Sequence, residues 1–456
     1  MNLHSLLQRR IDGGGKPVGV GLIGAGKFGS MFLAQVPKTR GLRVAAIADL
    51  RPERVAGALQ TVGWTDELIA ATAVTDDAER LIARDDVEVV IDSTGHPPAG
   101  IRHALLAARH GKHIVMVNVE ADVLAGPLLA EECRKAGVVY SMAYGDQPAL
   151  VSEMVDWARS AGLDVFCAGK GTKYLPEYHA STPDTVWPYY GLTAEQAKTG
   201  GMNPQMFNSF LDGTKSAIEM AAIANATGLT PPSQGLAFPP CGVDDLARVL
   251  KPRRDGGQLE GSGMVEVISS LERDGRPVFR DLRWGVYVVL GAGEGVGGDY
   301  TAACFRQYGL VTDPSGRYAA MYKPYHLIGL ELGISVLSAA LRGEPTGQSR
   351  DFRGDVVAVA KKALKLGEVL DGEGGFCVWG KLQPAGASLA IGGLPIGLAK
   401  DVALKRPVAE GALLTWDDVE LKSGNDEWSA AWRVRRDMES RFGGGPTFEA
   451  GRRAAE

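Results

Sequence analysis

Pro17-Val-Gly-Val-Gly-Leu-Ile23-Gly24-Ala-Gly26-Lys-Phe-Gly29 is the stretch that decides the fold. Pro17 to Ile23 is an apolar, Val-rich run of the kind buried on both faces of a parallel sheet. Gly24 to Gly29 form a glycine-rich turn, and Ser30 to Thr39 read as a helix. In a strand, turn and helix spaced this way, the first glycine permits the tight turn and the second lets a ligand approach the backbone. The third lets the helix pack close on the strand. The free N–H groups that open a helix attract an anion, which here points to a pyrophosphate. Gly24, Ala25, Gly26, Lys27, Phe28 and Gly29 are therefore the expected contacts to a dinucleotide.

Working outward, Leu42 to Ala48 is a second strand, and Asp49 ends it. An acid about twenty residues past the glycines meets the ribose hydroxyls. A carboxylate there repels a 2′-phosphate and favours NAD, whereas Arg51, two residues on, would pair with that phosphate and favour NADP. Both dinucleotides stay open. Val87–Ile91, His113–Val117 and Gly137–Ser141 are further strands, with helical segments such as Pro98–His110 between them. This alternation predicts a doubly wound parallel sheet, a Rossmann domain over residues 1–160. Ser93, Thr94 and Gly95 follow one strand and Asn118 another. Carboxyl ends of parallel strands face the ligand crevice, so these four are cofactor candidates, with Asn118 near the nicotinamide. His96, His103, His110 and His113 cluster in sequence without the H-E-x-x-H spacing of a zinc site, and read as solvated helix histidines.

The pattern changes after Ser160. Val165–Ala168, Met264–Ser269 and Val286–Leu290 read as strands, and Ala217–Thr227 and Tyr325–Leu341 as helices. They predict an α+β domain over 161–345, catalytic and suited to dimerisation. Leu175 to Pro204, rich in Pro, Tyr and Gly, reads as a long irregular loop of the kind used as a lid. Short strands at Val356–Lys362, Leu366–Leu370, Leu394–Leu398 and Val408–Trp416 predict a small all-β module over 350–430, and the polar residues 431–456 a flexible tail.

Six residues are candidates for chemistry. Asp146 follows a strand and would orient substrate or cap a helix. Lys170 lies between Gly169 and Gly171 just after an apolar run, a place for a reachable ammonium. Asp212-Gly-Thr-Lys215 precedes an Ala-rich helix in which Lys215 and Glu219, four apart, share a face. Charges on so apolar a helix are costly unless used. His326, in Lys323-Pro-Tyr-His326, is the histidine suited to proton transfer.

Composition bounds the rest. The 456 residues exceed what one core holds, with 45% apolar, 23% charged and a formal net charge of −5. No basic run suits nucleic acid, and no apolar run reaches the roughly 18 residues of a membrane span. Cys133, Cys167, Cys241, Cys304 and Cys377 are scattered, which suits free thiols in a cytoplasmic enzyme.

Gly21-Leu-Ile-Gly-Ala-Gly26, Gly111-Lys-His-Ile-Val-Met-Val-Asn-Val-Glu-Ala-Asp122, Ala168-Gly-Lys-Gly171, Asp212 to Gly228 and Pro324-Tyr-His-Leu327 resemble the deoxyxylulose-phosphate reductoisomerase-like (DRL) enzymes. That family is similar in architecture to homoserine dehydrogenase. Asp355 to Leu421, with Gly-Leu-Ala-Lys400 and Leu414-Thr-Trp-Asp-Asp-Val419, is similar to SAF (β-clip) domains. The resemblance covers almost the whole chain. It implies NADPH, a divalent metal with no ligands assigned, and conversion of 1-deoxyxylulose 5-phosphate to methylerythritol 4-phosphate. The chain departs from the DRL pattern at Asp49, at Gln147 and over Thr172 to His179. Homoserine dehydrogenases carry a lysine after the Asn matched by Asn118, where this chain has Val119.

The expectation is an NAD- or NADP-dependent oxidoreductase acting on a small polyol or sugar-phosphate carbonyl or alcohol, assembled as a homodimer or higher homo-oligomer. Lys170 and Lys215 would bind the substrate oxygen or anion, and His326 would carry the proton. The alternatives are a non-redox sugar- or nucleotide-binding protein and a homoserine-dehydrogenase-type reductase.

Overall fold

The computed structural model describes residues 2–420, 424 and 426–443. The chain divides into two units, Met1–Glu153 with His326–Arg350, and Met154–Tyr325 with Asp351–Glu456.

In the first unit six parallel strands, β1 (Val18–Ile23), β2 (Leu42–Ala48), β3 (Ala73–Thr75), β4 (Val89–Asp92), β5 (His113–Met116) and β6 (Tyr140–Met142), lie in the order β3-β2-β1-β4-β5-β6. That is the doubly wound order of a Rossmann sheet, with its crevice where β1 meets β4. Every residue of β1 and β4 is buried, which is why both read as unbroken apolar runs. The first helix, Lys27–Leu33, starts earlier than Ser30 and gives way to a single 3-10 turn at Val36–Lys38, where Pro37 has no N–H to continue the ladder. Two further pieces complete this core. Leu3 and Leu7 of an N-terminal helix, Leu3–Asp12, pack with Leu332, Val336 and Leu337 against Val18, Leu42 and Val44. The helix expected over 325–341 begins at Gly333, and its segment belongs to the Rossmann unit rather than to a domain running to 345.

The second unit is built on a mixed sheet ordered β10-β11-β9-β7-β8, from β7 (Asp164–Thr172), β8 (Met264–Ser269), β9 (Val286–Gly291), β10 (Val311–Thr312) and β11 (Tyr318–Lys323). β7 pairs parallel with β8 and antiparallel with β9. The helix Thr214–Thr227 packs against β7 and β8 and also against β12 (Gly354–Ala360) and β14 (Val378–Pro384). All its residues but Lys215 are buried, as a helix apolar all round must be.

Two expectations about this unit are corrected. Residues 175–204 are not an irregular loop: a 3-10 turn at Pro176–Ala180 and helices Val186–Tyr190 and Ala194–Thr199 fill them. Leu175, Tyr178, Val186, Trp187, Ala197 and Leu211 form their own core, and Thr193 and Gln196 close a capping box. The Pro and Tyr content that suggested a loop supplies helix starts and aromatic packing instead.

The C-terminal segment holds helices as well as strands as far as it is described, and residues 431–442 of the expected tail are helical. β12 pairs with β14, and β13 (Val369–Asp371) with β15 (Lys400–Ala403), but helices occupy Ala385–Ile391 and Glu427–Phe442. The last is anchored by Arg435, fully buried, which donates to Asp355 at 2.7 Å and Glu439 at 2.8 Å and lies over the Phe352 ring. Residues 444–456 of the expected tail lie outside the described residues. No helix among the described residues is long and apolar enough to cross a membrane.

Candidate functional site

At the crevice each glycine of the turn has a separate spatial role. Gly24 sits at φ +92°, and a Cβ there would press on Ser93 at 3.1 Å. A Cβ on Gly29 would come within 2.5 Å of the Gly24 carbonyl oxygen, so the helix packs closely on the turn. A Cβ on Gly26 would meet nothing within 4 Å. That open cradle, at the start of a helix whose first N–H groups lack intrahelical acceptors, fits a pyrophosphate.

The surrounding candidates hold the turn. Asp49 accepts from the N–H of Ala25 and of Arg51, both at 2.9 Å, which leaves each carboxylate oxygen a further lone pair for a ribose hydroxyl. The Arg51 side chain is exposed. Ser93 Oγ donates to the Gly24 carbonyl at 2.6 Å and ties β4 to the turn. Thr94 and Gly95 are exposed beside it, as are Lys27 and Gly26, while Ala25 and Phe28 are half-buried. Asn118 is 1% exposed and caps the helix Val119–Lys135, accepting from Ala121 N and donating to the His96 carbonyl and Thr94 Oγ1.

Sequence reasoning missed the group below it. His103 is not solvated: it is buried, with Nδ1 2.5 Å from Asp92 Oδ2, while Asp92 Oδ1 accepts from Thr94 Oγ1 at 2.9 Å. An Asp ending a buried strand eleven residues before a helix histidine was the available signal. Asp122 is likewise buried, accepting from Tyr140 at 2.9 Å and Ser349 at 2.8 Å, and burial pushes its carboxyl up to about 6.

Also in the first unit, the Asp146 carboxylate accepts from Gln147 N at 3.0 Å at the start of the helix Gln147–Ser160. Gln147 Nε2 lies 3.2 Å from His326 Nε2. An amide nitrogen can only donate, so this contact is a hydrogen bond when His326 Nε2 is the acceptor.

In the second unit the lysine candidates sit differently than expected. Lys170 is inside β7, not beyond a strand end. Its flanking glycines are there because neighbouring backbone approaches: a Cβ on Gly169 would stand 1.8 Å from the carbonyl oxygen of Glu266 in β8, and one on Gly171 1.9 Å from that of Leu282 in the segment before β9. Lys170 is buried and ion-paired to Glu219, itself 3% exposed. Lys215 is half-buried on the same helix face as Glu219. Asp212 does not orient Lys215. It pairs at 2.8 Å with Lys361, whose ammonium also donates to the carbonyls of Ser181 and Gly375. Both partners are sealed, at 2% and 0% side-chain exposure, which makes this a structural pair. Lys361 carried no distinguishing signal, since it looks like any lysine at a strand end.

No three His, Cys, Asp or Glu side chains come together to hold a metal ion among the described residues. The five cysteines are free, four of them buried and Cys304 half-buried.

Residues 19–141 match the family described as homoserine dehydrogenase, NAD binding domain, and residues 145–332 the family described as oxidoreductase DRL, catalytic domain. The homoserine dehydrogenase of Mycobacterium tuberculosis is 33% identical over 129 residues, 28% of this chain and 29% of that protein. The chain thus spans less than a third of the length of the curated relatives it matches. Among solved structures, the 1-deoxy-D-xylulose 5-phosphate reductoisomerase from Zymomonas mobilis in complex with NADPH is 18% identical, with a TM-score of 0.33, over 46% of this chain and 58% of that one. Levoglucosan dehydrogenase in complex with NADH and L-sorbose is 21% identical, with a TM-score of 0.25, over 35% of this chain and 44% of that one. The two matched families put an NAD(P)-binding domain ahead of an oxidoreductase catalytic domain in one chain.

Proposed function

We propose that this chain is an NAD(P)-dependent oxidoreductase whose substrate is a small polyhydroxylated carbonyl or alcohol of the polyol or sugar-phosphate class. The DRL reaction on 1-deoxyxylulose 5-phosphate is the first case to try. The observation that carries the reading is the open backbone at Gly26, in a domain that matches NAD-binding domains and precedes a DRL catalytic domain. The bound dinucleotide supplies or accepts the hydride. Lys170, held by Glu219 in a water-poor setting, offers fixed positive charge to a carbonyl oxygen that becomes anionic on reduction. Lys215 binds the anionic substituent, and Asp146 orients a hydroxyl. His326 carries the proton that accompanies the hydride, with Gln147 at its Nε2. No step is routed through a metal.

Asp49 sets the preference, so NAD(H) binds at least as tightly as NADP(H). The chain self-associates in this reading, and the face offered for it is Val296, Tyr300 and Tyr308, four and then eight residues apart and each at least 75% exposed, along the helix Gly295–Gln307 and its end. The residues from Asp355 on act as a SAF-like accessory module.

The deciding experiment is steady-state oxidation and reduction with both dinucleotides against polyols, ketoses and their phosphates. Cofactor turnover above background with one class supports the reading. Tight dinucleotide binding with no turnover across the panel overturns it in favour of a sugar- or nucleotide-binding protein.

A further inference from the structure

The helix Thr214–Thr227 has two occupied faces. Lys215 and Glu219 share the face that carries the ion pair to Lys170. Ala217 stands two residues from each, about 200° round the axis at 3.6 residues per turn, and so on the opposite face. There it lines a cleft of about 210 Å³ entirely within the second unit, together with His179, Phe238, Trp379 and Lys381. At roughly 30 Å³ per water this is the space of about seven waters, room for one substituted ring and too little for a dinucleotide.

The walls are rigid. The Trp379 indole lies flat on His179, with centroids 3.9 Å apart, and Phe238 lies flat on Tyr174 at the same distance. The Tyr174 hydroxyl and His179 Nε2 are 2.9 Å apart, and His179 Nδ1 reaches the Asp212 carbonyl at 2.7 Å. A backbone carbonyl only accepts, so Nδ1 carries the proton and Tyr174 donates to Nε2. Burial lowers the basicity of His179, which keeps this chain of bonds uncharged.

One wall carries backbone strain. Phe238 has φ +48°, a left-handed conformation that an aromatic side chain pays to adopt. It is held there by buried Glu266, which accepts from the N–H groups of Ala237, Phe238 and Val267. Over the opposite rim, Lys381 lays its stem across Gly235, where a Cβ would come within 2.9 Å of Cε. Lys381 has no ion-pair partner among the described residues. Flat, backed aromatic walls with one uncompensated cation select a ring that bears an anionic group.

We propose that this cleft is a second small-molecule site, separate from the Lys170–Glu219 pair, for a monocyclic ligand carrying a phosphate or carboxylate. His179 and Phe238 furnish one wall, and β14 furnishes Trp379 and Lys381. Its occupancy does not depend on hydride transfer.

The test is calorimetry on the full chain, without cofactor and with saturating NADH, using phenyl phosphate, benzoate, glucose 6-phosphate, glucose and inorganic phosphate. We expect one of the ring anions to bind at least tenfold more tightly than glucose or inorganic phosphate. Lys381→Gln and Trp379→Ala should each weaken it at least tenfold, and Lys170→Met should leave it unchanged. Lys381 is half-exposed, so Lys381→Gln stays informative even if Trp379→Ala does not fold. Phenyl phosphate and benzoate against glucose 6-phosphate tell an aromatic ligand from a sugar. No binding by any ring anion, binding indifferent to Lys381→Gln, or binding abolished by Lys170→Met would each overturn the proposal.

Discussion

Two glycine-flanked segments, one in each unit, leave out a side chain for opposite reasons. At Gly26 the missing Cβ leaves space that no protein atom enters within 4 Å. At Gly169 and Gly171 the same omission is consumed by carbonyl oxygens of Glu266 and Leu282, at 1.8 and 1.9 Å from where a Cβ would stand. The first absence is room for a ligand, and the second lets adjoining backbone close on β7 with Lys170 between them. Glycine in a sequence reports that something approaches the backbone. Whether it is solute or protein depends on strands far away in the chain.

The hardest test of that contrast is to fill both spaces. Gly169→Val or Gly171→Val should cost more than about 4 kcal/mol, enough to remove the folded second unit from thermal melts. Gly26→Trp should melt like the parent yet lose NAD(H) affinity by about 100-fold or more, roughly 3 kcal/mol. A Gly26→Trp protein that titrates normally by nucleotide fluorescence would end the reading of that space as a phosphate cradle.

The two buried lysine pairs of the second unit extend the contrast. Lys361→Met strips the sealed Asp212 of its counter-charge, and should destabilise by about 3–5 kcal/mol in urea titrations, most of it recovered by adding Asp212→Leu. Lys170→Met should instead show itself in turnover, down by about 100-fold, the scale of one lost charge-stabilising donor, with the cofactor dissociation constant unchanged. Pairing it with Glu219→Gln removes the stranded carboxylate and isolates the kinetic loss. Near-normal turnover in that double variant would make the pair as structural as Lys361 and Asp212.

The smallest effect belongs to Asp122 in the first unit. Its folded value of about 6 lies above the ordinary 3.8 of the unfolded chain. The neutral form therefore favours folding: the gain is complete below pH 3.8 and is lost as pH rises through about 6. The gain is at most about 3 kcal/mol. Asp122→Asn should flatten stability against pH across that window, and an unchanged slope would mean the carboxyl titrates normally.

Much of the first unit was legible because its signal is local. β2 runs over the expected residues, and the glycine turn lies between a wholly buried strand and a helix start. In the second unit β8 was equally plain, but β7 was ended four residues early, at Ala168 instead of Thr172, because Gly169 and Gly171 look like a turn. The helix Glu427–Phe442 was hidden by its charges, although Ala431, Trp432, Arg435 and Met438 are buried at helical spacing. The partners of Arg435 and Lys361 lie 80 and 149 residues away, a distance no local pattern spans. The open face of the cleft beside Ala217 was invisible for the same reason, since Trp379 and Lys381 come from a strand far along the chain.

The return of His326–Arg350 to the first unit sets an order of assembly. As the chain leaves the ribosome, all six strands of the parallel sheet emerge before Leu332, Val336 and Leu337, the residues that cover Val18 and Leu42. Until then that flank of the sheet is only partly covered, and the whole first stretch of the second unit must be threaded out as a closed excursion between Glu153 and His326. Closing so long a loop costs only slowly growing entropy, but it takes time, and a partly covered apolar flank is a place for chaperones or for misassembly during that wait. The nucleotide-binding half is therefore not a module that can be cut off after Glu153: its last structural stitch is made by residues that follow the second unit's first stretch in the chain.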